Sequence, residues 1–273
     1  MKHTIYKSFG TFAATASLLT ASSMAGTEPA PAPPVMEPAP SPMIEGEVGL
    51  SYSNMYEFRY VDQGNDMVTA SVDLAYDTGM FALRAGAWYA TWDGAPTGLV
   101  NNTEELDLYA GIGYDVTDDF SVEVGHISYI FFDGSGDTNE VYVSAEYQLP
   151  VEGLSLASTY YWDWDINNGQ YVEASVNYSY SIMDDLGLDL AVGTAYNHGN
   201  GLQVSTSPAG GTEDGLQGYF VSAALPWTVR DNVTLTPYIK YTDAESGLVT
   251  NTGAVAENGG EHIIAGVSLA VGF

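Results

Sequence analysis

The chain ends on His262-Ile-Ile-Ala-Gly-Val-Ser-Leu-Ala-Val-Gly-Phe273, and this stretch decides the fold. Successive side chains of an extended strand point to opposite faces. Every second residue from Ala265 to Phe273 therefore lies on one face, and that face is apolar. From Gly266 onward the other face carries only glycine, serine and alanine. The stretch predicts a strand whose two faces meet different surroundings.

The same two-residue period recurs along the chain from Ile44 onward, with Gly, Asp and Asn between the alternating runs. Twelve such runs can be counted, and this pattern favours an all-β chain of about twelve antiparallel strands. The runs begin near Glu47, Met67, Met80, Glu105, Phe120, Glu140, Leu154, Tyr171, Leu186, Gly218, Val233 and His262.

The segments between the runs alternate in length. The short ones are 78–79, 117–119, 150–153, 182–185 and 226–232. The longer ones are 61–66, 94–103, 133–139, 165–170, 197–214 and 244–260. Bacterial outer-membrane barrels show this asymmetry, with short periplasmic turns, longer extracellular loops and an even number of strands. The pattern predicts a single transmembrane β-barrel over residues 44–273, with both chain ends on the short-turn side.

Aromatic residues mark both ends of the runs. Those just before short turns are Tyr76, Tyr114, Tyr147 and Tyr180. Those near the longer loops are Tyr89, Tyr160, Trp162, Tyr196 and Tyr241. Two girdles of amphipathic aromatics around an aliphatic band are typical of a barrel at two membrane–water interfaces. A soluble β-sandwich would explain the alternation but does not need two girdles.

The first 43 residues differ in composition from the rest. Lys2, His3 and Lys7 precede a short apolar run, and Ser23-Met24-Ala25 follows it, which predicts a signal peptide over residues 1–25. A buried N-terminal helix is the alternative. Residues 26–43 are rich in Pro and Ala and predict an extended linker, with recognition by a Pro-binding partner as the other reading.

The charge balance excludes one class of partner. The chain has 6 Lys and Arg against 35 Asp and Glu, and no Cys. Two of the bases lie in the predicted signal peptide, which leaves Arg59, Arg84, Arg230 and Lys240. Nucleic-acid binding needs a basic surface, so we expect no nucleic-acid partner. With no disulfides, the exported protein depends on packing and hydrogen bonds. We expect it in the outer membrane of a Gram-negative-type bacterium.

Several motifs in the first half of the barrel are similar to those of a known family. They are Gly49-Leu-Ser-Tyr-Ser-Asn-Met-Tyr-Glu-Phe-Arg59, Val72-Asp-Leu-Ala-Tyr76, Ala85-Gly-Ala-Trp88, Glu105-Leu-Asp-Leu-Tyr-Ala-Gly111, Thr117-Asp-Asp-Phe120 and Asn139-Glu-Val-Tyr142. They resemble the TorF-type family of small porins, a group long described as conserved proteins of unknown function. The resemblance implies a porin-like outer-membrane channel. The terminal Phe273 likewise resembles the assembly signal of such barrels, which implies the barrel assembly machinery as a partner.

If the apolar faces meet lipid, the alternate residues face the lumen. The reverse arrangement would place charges in lipid, at about 2–4 kcal/mol for each Lys or Arg near the midplane. The predicted lumen residues are Glu57, Arg59, Asp73, Arg84, Glu105, Asp107, Glu123, Glu140, Glu146, Glu173, Asp189 and Lys240. A two-residue turn at Thr78-Gly79 would also place Asp73 directly opposite Arg84.

The strand number sets an expectation for the pore. Eight strands give a filled barrel and sixteen an open channel, so twelve predict a narrow or partly plugged pore. The longest loops, 197–214 and 244–260, could fold inward. The acids outnumber the bases on the inner face, which favours cations.

Catalytic and metal-binding patterns are weak. His126, His198 and His262 lie in no local catalytic signature, although a hydrolase remains an alternative. The segments 163–169 and 133–137 are only partly similar to calcium loops, and hairpin turns favour the same residues. We therefore expect no enzyme activity, no cofactor and no dedicated metal site.

The sequence favours passive diffusion of small hydrophilic solutes, with a preference for cations. The alternative is a non-conducting structural or adhesive barrel that displays acidic loops. The partners expected besides the assembly machinery are outer-membrane lipid and small polar solutes or cations.

Overall fold

The computed structural model describes residues 44–94, 104–132, 136–166, 168–200, 214–244 and 260–273, together with four two-residue strands. Twelve long strands make up the fold. They are β1 (Ile44–Phe58), β2 (Val61–Asp77), β3 (Ala82–Gly94), β4 (Glu104–Thr117), β5 (Phe120–Phe131), β6 (Thr138–Gln148), β7 (Leu154–Asp163), β8 (Gln170–Met183), β9 (Leu186–His198), β10 (Gly215–Ala224), β11 (Val233–Ala244) and β12 (Glu261–Gly272). Among the described residues, no helix is long and apolar enough to cross a membrane.

The strands form one closed antiparallel barrel. Each strand pairs with its neighbours in the sequence, and β12 pairs with β1 to close the ring. The predicted fold class is therefore confirmed. All predicted strand starts except that of β2 lie within three residues of the observed ones. A short strand, Trp227–Arg230, lies in the β10–β11 connection, and Phe9–Gly10 pairs with Leu19–Thr20, as does Val204–Ser205 with Leu248–Val249.

Alternation along each strand separates an apolar outer face from a polar inner face. In β4, Leu108 and Ile112 are 44 % and 53 % exposed, whereas Glu105 and Asp107 are 3 % and 0 % exposed. Large apolar side chains are exposed in this way on all twelve strands, and such an exposed apolar surface marks contact with another apolar phase. Glu105 and Asp107 of β4 therefore face the barrel interior.

The register between β2 and β3 differs from the sequence prediction. The connection has four residues, 78–81, in which the Thr78 amide donates to the Phe81 carbonyl at 3.0 Å and Gly79 has φ of +82°. This longer turn moves the register by two, so Asp73 lies opposite Gly86 and Arg84 opposite Ala75. The predicted Asp73–Arg84 register is wrong. Because the shift is even, both side chains stay on the inner face.

Aromatic rings lie against glycines of the inner wall. A Cβ atom at Gly125 would lie 2.3 Å from Cζ of Tyr142, and one at Gly193 would lie 2.5 Å from the Phe220 ring. Gly86 and Gly266 are covered in the same way by tyrosines 109 and 238. Only a residue without a Cβ leaves room for a ring lying flat on the strand.

The first hairpin leaves the wall of the barrel. The segment 61–66, predicted as an outer loop, is instead the start of β2, and that prediction is wrong. β1 pairs with β12 only as far as Ser53, opposite Gly266. Two irregularities in β2 shift its register, one in each of its two pairings, and such bulges bend a strand. Residues 55–66, here called the hairpin tip, accordingly turn into the interior.

Asn54 marks the point of departure. Its Nδ2 donates to the Ile263 carbonyl at 3.0 Å, and its Oδ1 accepts from the Ala265 amide at 2.7 Å. A side-chain amide thus makes the two bonds that a strand residue would have made to β12. This arrangement satisfies the β12 backbone where β1 has turned away.

Candidate functional site in the barrel interior

The turn at the hairpin tip has an unusual backbone. Phe58 pairs with Val61, so the loop consists of Arg59 and Tyr60 alone, with φ of +51° and +69°. Positive φ at both loop residues is the type I′ turn, which favours Asn-Gly. A residue other than glycine in this region costs about 1–3 kcal/mol. The backbone of the tip is therefore strained at Arg59 and Tyr60, the two residues whose large side chains it places in the interior.

Arg59 is held by a carboxylate of the barrel wall. Its Nη1 and Nη2 lie 2.8 and 2.6 Å from the two oxygens of Glu140 on β6. The hydroxyl of Tyr129 and the amide Nδ2 of Asn200 donate to the same carboxylate at 3.0 and 3.1 Å. The guanidinium also lies over the rings of Tyr161 and Tyr171, 4.9 and 4.4 Å from their centroids. A bidentate pair inside a cage of rings binds a planar cation strongly and in one orientation.

Glu57 fastens the other side of the tip. Its Oε1 accepts from Lys240 Nζ at 2.8 Å and from Thr242 Oγ1 at 3.2 Å, and its Oε2 lies 2.9 Å from His262 Nδ1. These partners belong to β11 and β12, on the side of the wall that β1 has left. Glu57 itself is 3 % exposed. The tip is thus fixed to the wall by one buried acid and one buried base.

Aromatic side chains fill the space around the tip. Tyr56 packs against Trp92 with ring centroids 4.7 Å apart and donates from its hydroxyl to Glu105 at 2.7 Å. Phe58 packs edge-on against Tyr129. The tip residues 56–61 are at most 8 % exposed. The half of the interior next to the longer loops, here called the loop half, is therefore packed rather than open.

The half next to the short turns, here called the turn half, differs in character. The inner face there carries small residues at Gly49, Ser51, Ser71, Ser144 and Ser268. Carboxylates stand among them, and Glu47, Asp73 and Glu146 are partly exposed. Arg84 forms an ion pair with Glu123 at 3.1 Å. Water can reach Glu47, Asp73 and Glu146, whereas Glu105, Asp107 and Glu140 of the loop half are at most 3 % exposed.

Tyrosines connect the turn-half charges along the wall. Tyr142 donates to Glu123 at 2.6 Å, and Tyr109 donates to Asp73. Each of these rings lies over a glycine of the adjacent strand, as described above. The result is a polar network of fixed geometry around Arg84.

The structure places all twelve predicted lumen residues on inward-facing positions or on the hairpin tip. Glu140, Asp107 and Asp189 are at most 2 % exposed, and Glu173 and Glu146 are partly buried. The nine predicted girdle aromatics lie on the outer face. Those more than a third exposed are Tyr114, Tyr147, Tyr160, Trp162, Tyr180 and Tyr196. Phe273 exchanges two backbone hydrogen bonds with Gly46, at 2.8 and 3.0 Å.

His262 contacts the buried carboxylate of Glu57, as described above, whereas the other two histidines and the calcium-like segments have different surroundings. His126 lies on the outer face near Trp164, and His198 lies 3.6 Å from Asp214. Asp163, at the buried end of β7, accepts from Thr138 at 2.7 Å, and the exposed turn residue Asp165 accepts from Asn139 at 2.8 Å. Residues 133–135 and 167, and most of the loops 197–214 and 244–260 expected to fold inward, lie outside the described residues. Within the described ranges, no group of three acids or histidines could hold a metal ion.

Sequence reasoning missed the inward hairpin. Arg59 and Glu140 are 81 residues apart, and no local pattern pairs them. The run Tyr56-Glu-Phe-Arg-Tyr60 did carry a signal, because it alternates large rings with opposite charges directly before further alternation. Such a run is expensive to expose and fits a buried hairpin better than a loop.

A twelve-stranded closed antiparallel barrel with an apolar outer belt and a charged interior defines the outer-membrane class of β-barrel proteins. Among these barrels, the chain belongs to the family described as "Bacterial protein of unknown function (Gcw_chp)", whose model matches residues 37–207, more than half of the chain. No match to a curated protein was found.

Two of the solved structures that are similar to this chain illustrate the shared fold. The NanC porin is 11% identical and has a TM-score of 0.52, with 83% of this chain and 98% of that chain covered. The COG4313 outer membrane channel from Pseudomonas putida F1 is 13% identical and has a TM-score of 0.53, with 89% of this chain and 100% of that chain covered. At these identities the likeness shows the fold alone. The chain therefore has the architecture of outer-membrane channels.

Proposed function

We propose that this protein is an outer-membrane channel for passive diffusion of small hydrophilic solutes, with a preference for cations. The observation that carries the proposal is the turn half of the interior, where small side chains leave space beside partly exposed Glu47, Asp73 and Glu146. Carboxylates that line an aqueous path concentrate cations near them. The resemblance to TorF-type porins and the shared fold of outer-membrane channels support the same proposal.

The channel is closed in the arrangement seen here. The buried tip fills the loop half, so passage requires that the tip move or that the longer loops provide another route. The short turns would then face the periplasm and the plugged half the cell exterior, in keeping with the usual orientation of such barrels. The signal peptide, the linker and the outer-membrane location remain part of this proposal.

The test is conductance in a planar bilayer under a salt gradient. The full chain is compared with a barrel in which residues 54–66 are replaced by Asn-Gly, a two-residue turn that suits the Ser53–Met67 pair. We expect rare steps from the full chain, and frequent, larger and cation-selective steps from the replaced barrel. Glu146→Gln in that barrel should reduce the cation selectivity, whereas Glu152→Gln in the exposed turn should not. Silence from a folded, inserted barrel of both kinds would overturn the channel.

The packed loop half favours a second candidate, a non-conducting barrel that displays acidic loops. The two candidates predict different conductance for the barrel in which residues 54–66 are replaced by Asn-Gly. A display barrel needs no path through the turn half, and its interior should stay non-conducting even after the tip has been removed.

A further inference from the structure

We propose that the wall pocket now filled by Arg59 is a binding site for cations that carry a guanidinium group, and that Arg59 is its built-in occupant. The pocket is made of Glu140, Tyr129, Tyr161, Tyr171 and Asn200. One part of the proposal rests on the proposed channel function, namely that guanidinium compounds are a class of solute that the channel takes. The binding site itself can be tested without conduction.

The pocket itself belongs to the wall, although the ring centroid of Phe58, on the tip, also lies 4.9 Å from the guanidinium carbon of Arg59. Its residues come from β5, β6, β7 and β8 and from the segment after β9, so the wall holds them whether or not the tip is present. Tyr129 and Asn200 already donate to Glu140, which orients the carboxylate toward the interior. A carboxylate fixed in this way is preorganised for a fork of two N–H donors.

The pocket also fits the shape of a guanidinium ion. Tyr161 and Tyr171 offer ring faces 4.9 and 4.4 Å from the central carbon of the Arg59 guanidinium. Ring faces attract a flat, weakly hydrated cation more readily than a compact ammonium ion. The bidentate contact adds a geometric requirement that an ammonium ion cannot meet. The selectivity expected is therefore for guanidinium over simple amine cations.

The occupant is attached to an element that can be displaced. Arg59 lies in a strained turn, and residue strain of this kind is retained where it serves a function. Beyond Ser53 the hairpin has no ladder to β12, so the tip has one free edge. A soluble guanidinium compound that competes for Glu140 would release one of the two anchors of the tip, and Glu57 would remain bound to Lys240. The solute would thus act on the plug that blocks its own path.

Binding can be measured by calorimetry on the refolded full chain in detergent micelles, with methylguanidinium as the probe. Arg59→Ala should bind it saturably in the millimolar range, and wild type at least tenfold more weakly, because Arg59 fills the site. Methylammonium at equal ionic strength should show no saturable binding. The matched control is Arg230→Ala, which removes an exposed arginine outside the interior and should behave as wild type.

Two further variants keep the test decisive. Glu140→Gln in the Arg59→Ala background should abolish saturable binding, because the bidentate acceptor is lost. The barrel with residues 54–66 replaced by Asn-Gly exposes the same pocket and serves if Arg59→Ala does not fold. Equal binding of methylguanidinium and methylammonium, or binding that survives Glu140→Gln, would overturn the site. Binding by a barrel that never conducts would leave the site standing and refute the channel.

Discussion

The side chain of Asn54 occupies the place of a strand residue against Ala265, accepting its backbone amide at 2.7 Å at the height where β1 leaves the barrel wall. The same amide group donates to the Ile263 carbonyl. One side chain therefore covers the end of the β1–β12 ladder and fixes the point from which the hairpin tip turns inward.

Asn54→Ala should weaken this junction. Two hydrogen bonds are lost at a partly solvated site, so we expect a loss of about 1 kcal/mol in the free energy of unfolding. Asn54→Asp can still accept from Ala265 but cannot donate to Ile263, and it should fall between wild type and Asn54→Ala. Urea unfolding followed by tryptophan fluorescence measures the series. Equal stability of all three proteins would mean that water replaces the side chain without cost.

Glu57→Gln should loosen the tip on the side of β11 and β12. The substitution leaves Lys240 next to a neutral group in a largely buried place, and breaking such a pair costs about 3–5 kcal/mol. The tip should also open more often, which conductance would report as more frequent steps. Glu152→Gln, in an exposed turn, should change stability by no more than about 0.5 kcal/mol. An unchanged unfolding midpoint for Glu57→Gln would show that the anchor has no energetic role.

Gly125→Ala should displace a ring from the inner wall. The new Cβ would lie 2.3 Å from Tyr142, so the ring must move and its bond to Glu123 is lost. Overpacking of this kind costs about 1–3 kcal/mol. Gly113→Ala on the neighbouring strand is the control, because its Cβ would meet no atom closer than 3.5 Å.

The explanation for Gly125 can be checked with a double-mutant cycle. In a Tyr142→Ser background the ring is gone, and Gly125→Ala should then have little effect. A penalty that persists without the ring would assign the cost to the backbone instead.

Phe273→Ala should reduce the yield of folded barrel. Phe273 joins β12 to Gly46 through two backbone bonds, and its ring lies against that glycine. Refolding into lipid vesicles, followed by protection from protease, measures the yield. Phe132→Ala, which also removes an exposed ring, should leave the yield unchanged. A stable, fully folded Phe273→Ala barrel would exclude the ring from the closing step.

The alternating pattern of the sequence predicts the strands and the face on which each side chain lies, but not the length of every turn. The two-residue period reports which face a side chain takes, so it predicts opposite faces for Glu105 and Leu108, as the structure has them. The period does not report how many residues a turn uses. The Asp73–Arg84 register was wrong for that reason, since a four-residue turn keeps the faces but moves the partners.

The interior contacts could not be predicted in the same way. The segment 61–66 carries Asp, Gly and Asn, which favour loops in general, yet these residues also suit bulges in a bent strand. Arg59 meets Glu140 only because the bend carries it across the interior. Such a contact depends on the closed ring, and a single sequence contains no local record of it.

The two anchors of the hairpin tip connect residues that are synthesised early with residues that are synthesised much later. Arg59 binds a residue from the middle of the sequence, but Glu57 binds Lys240 and His262, which are made last. A chain cut short before β11 would retain a buried acid with neither of these bases beside it. The first hairpin can therefore complete both of its anchors only after β11 and β12 have joined the barrel. A fully anchored hairpin tip thus indicates that the last strands are in place.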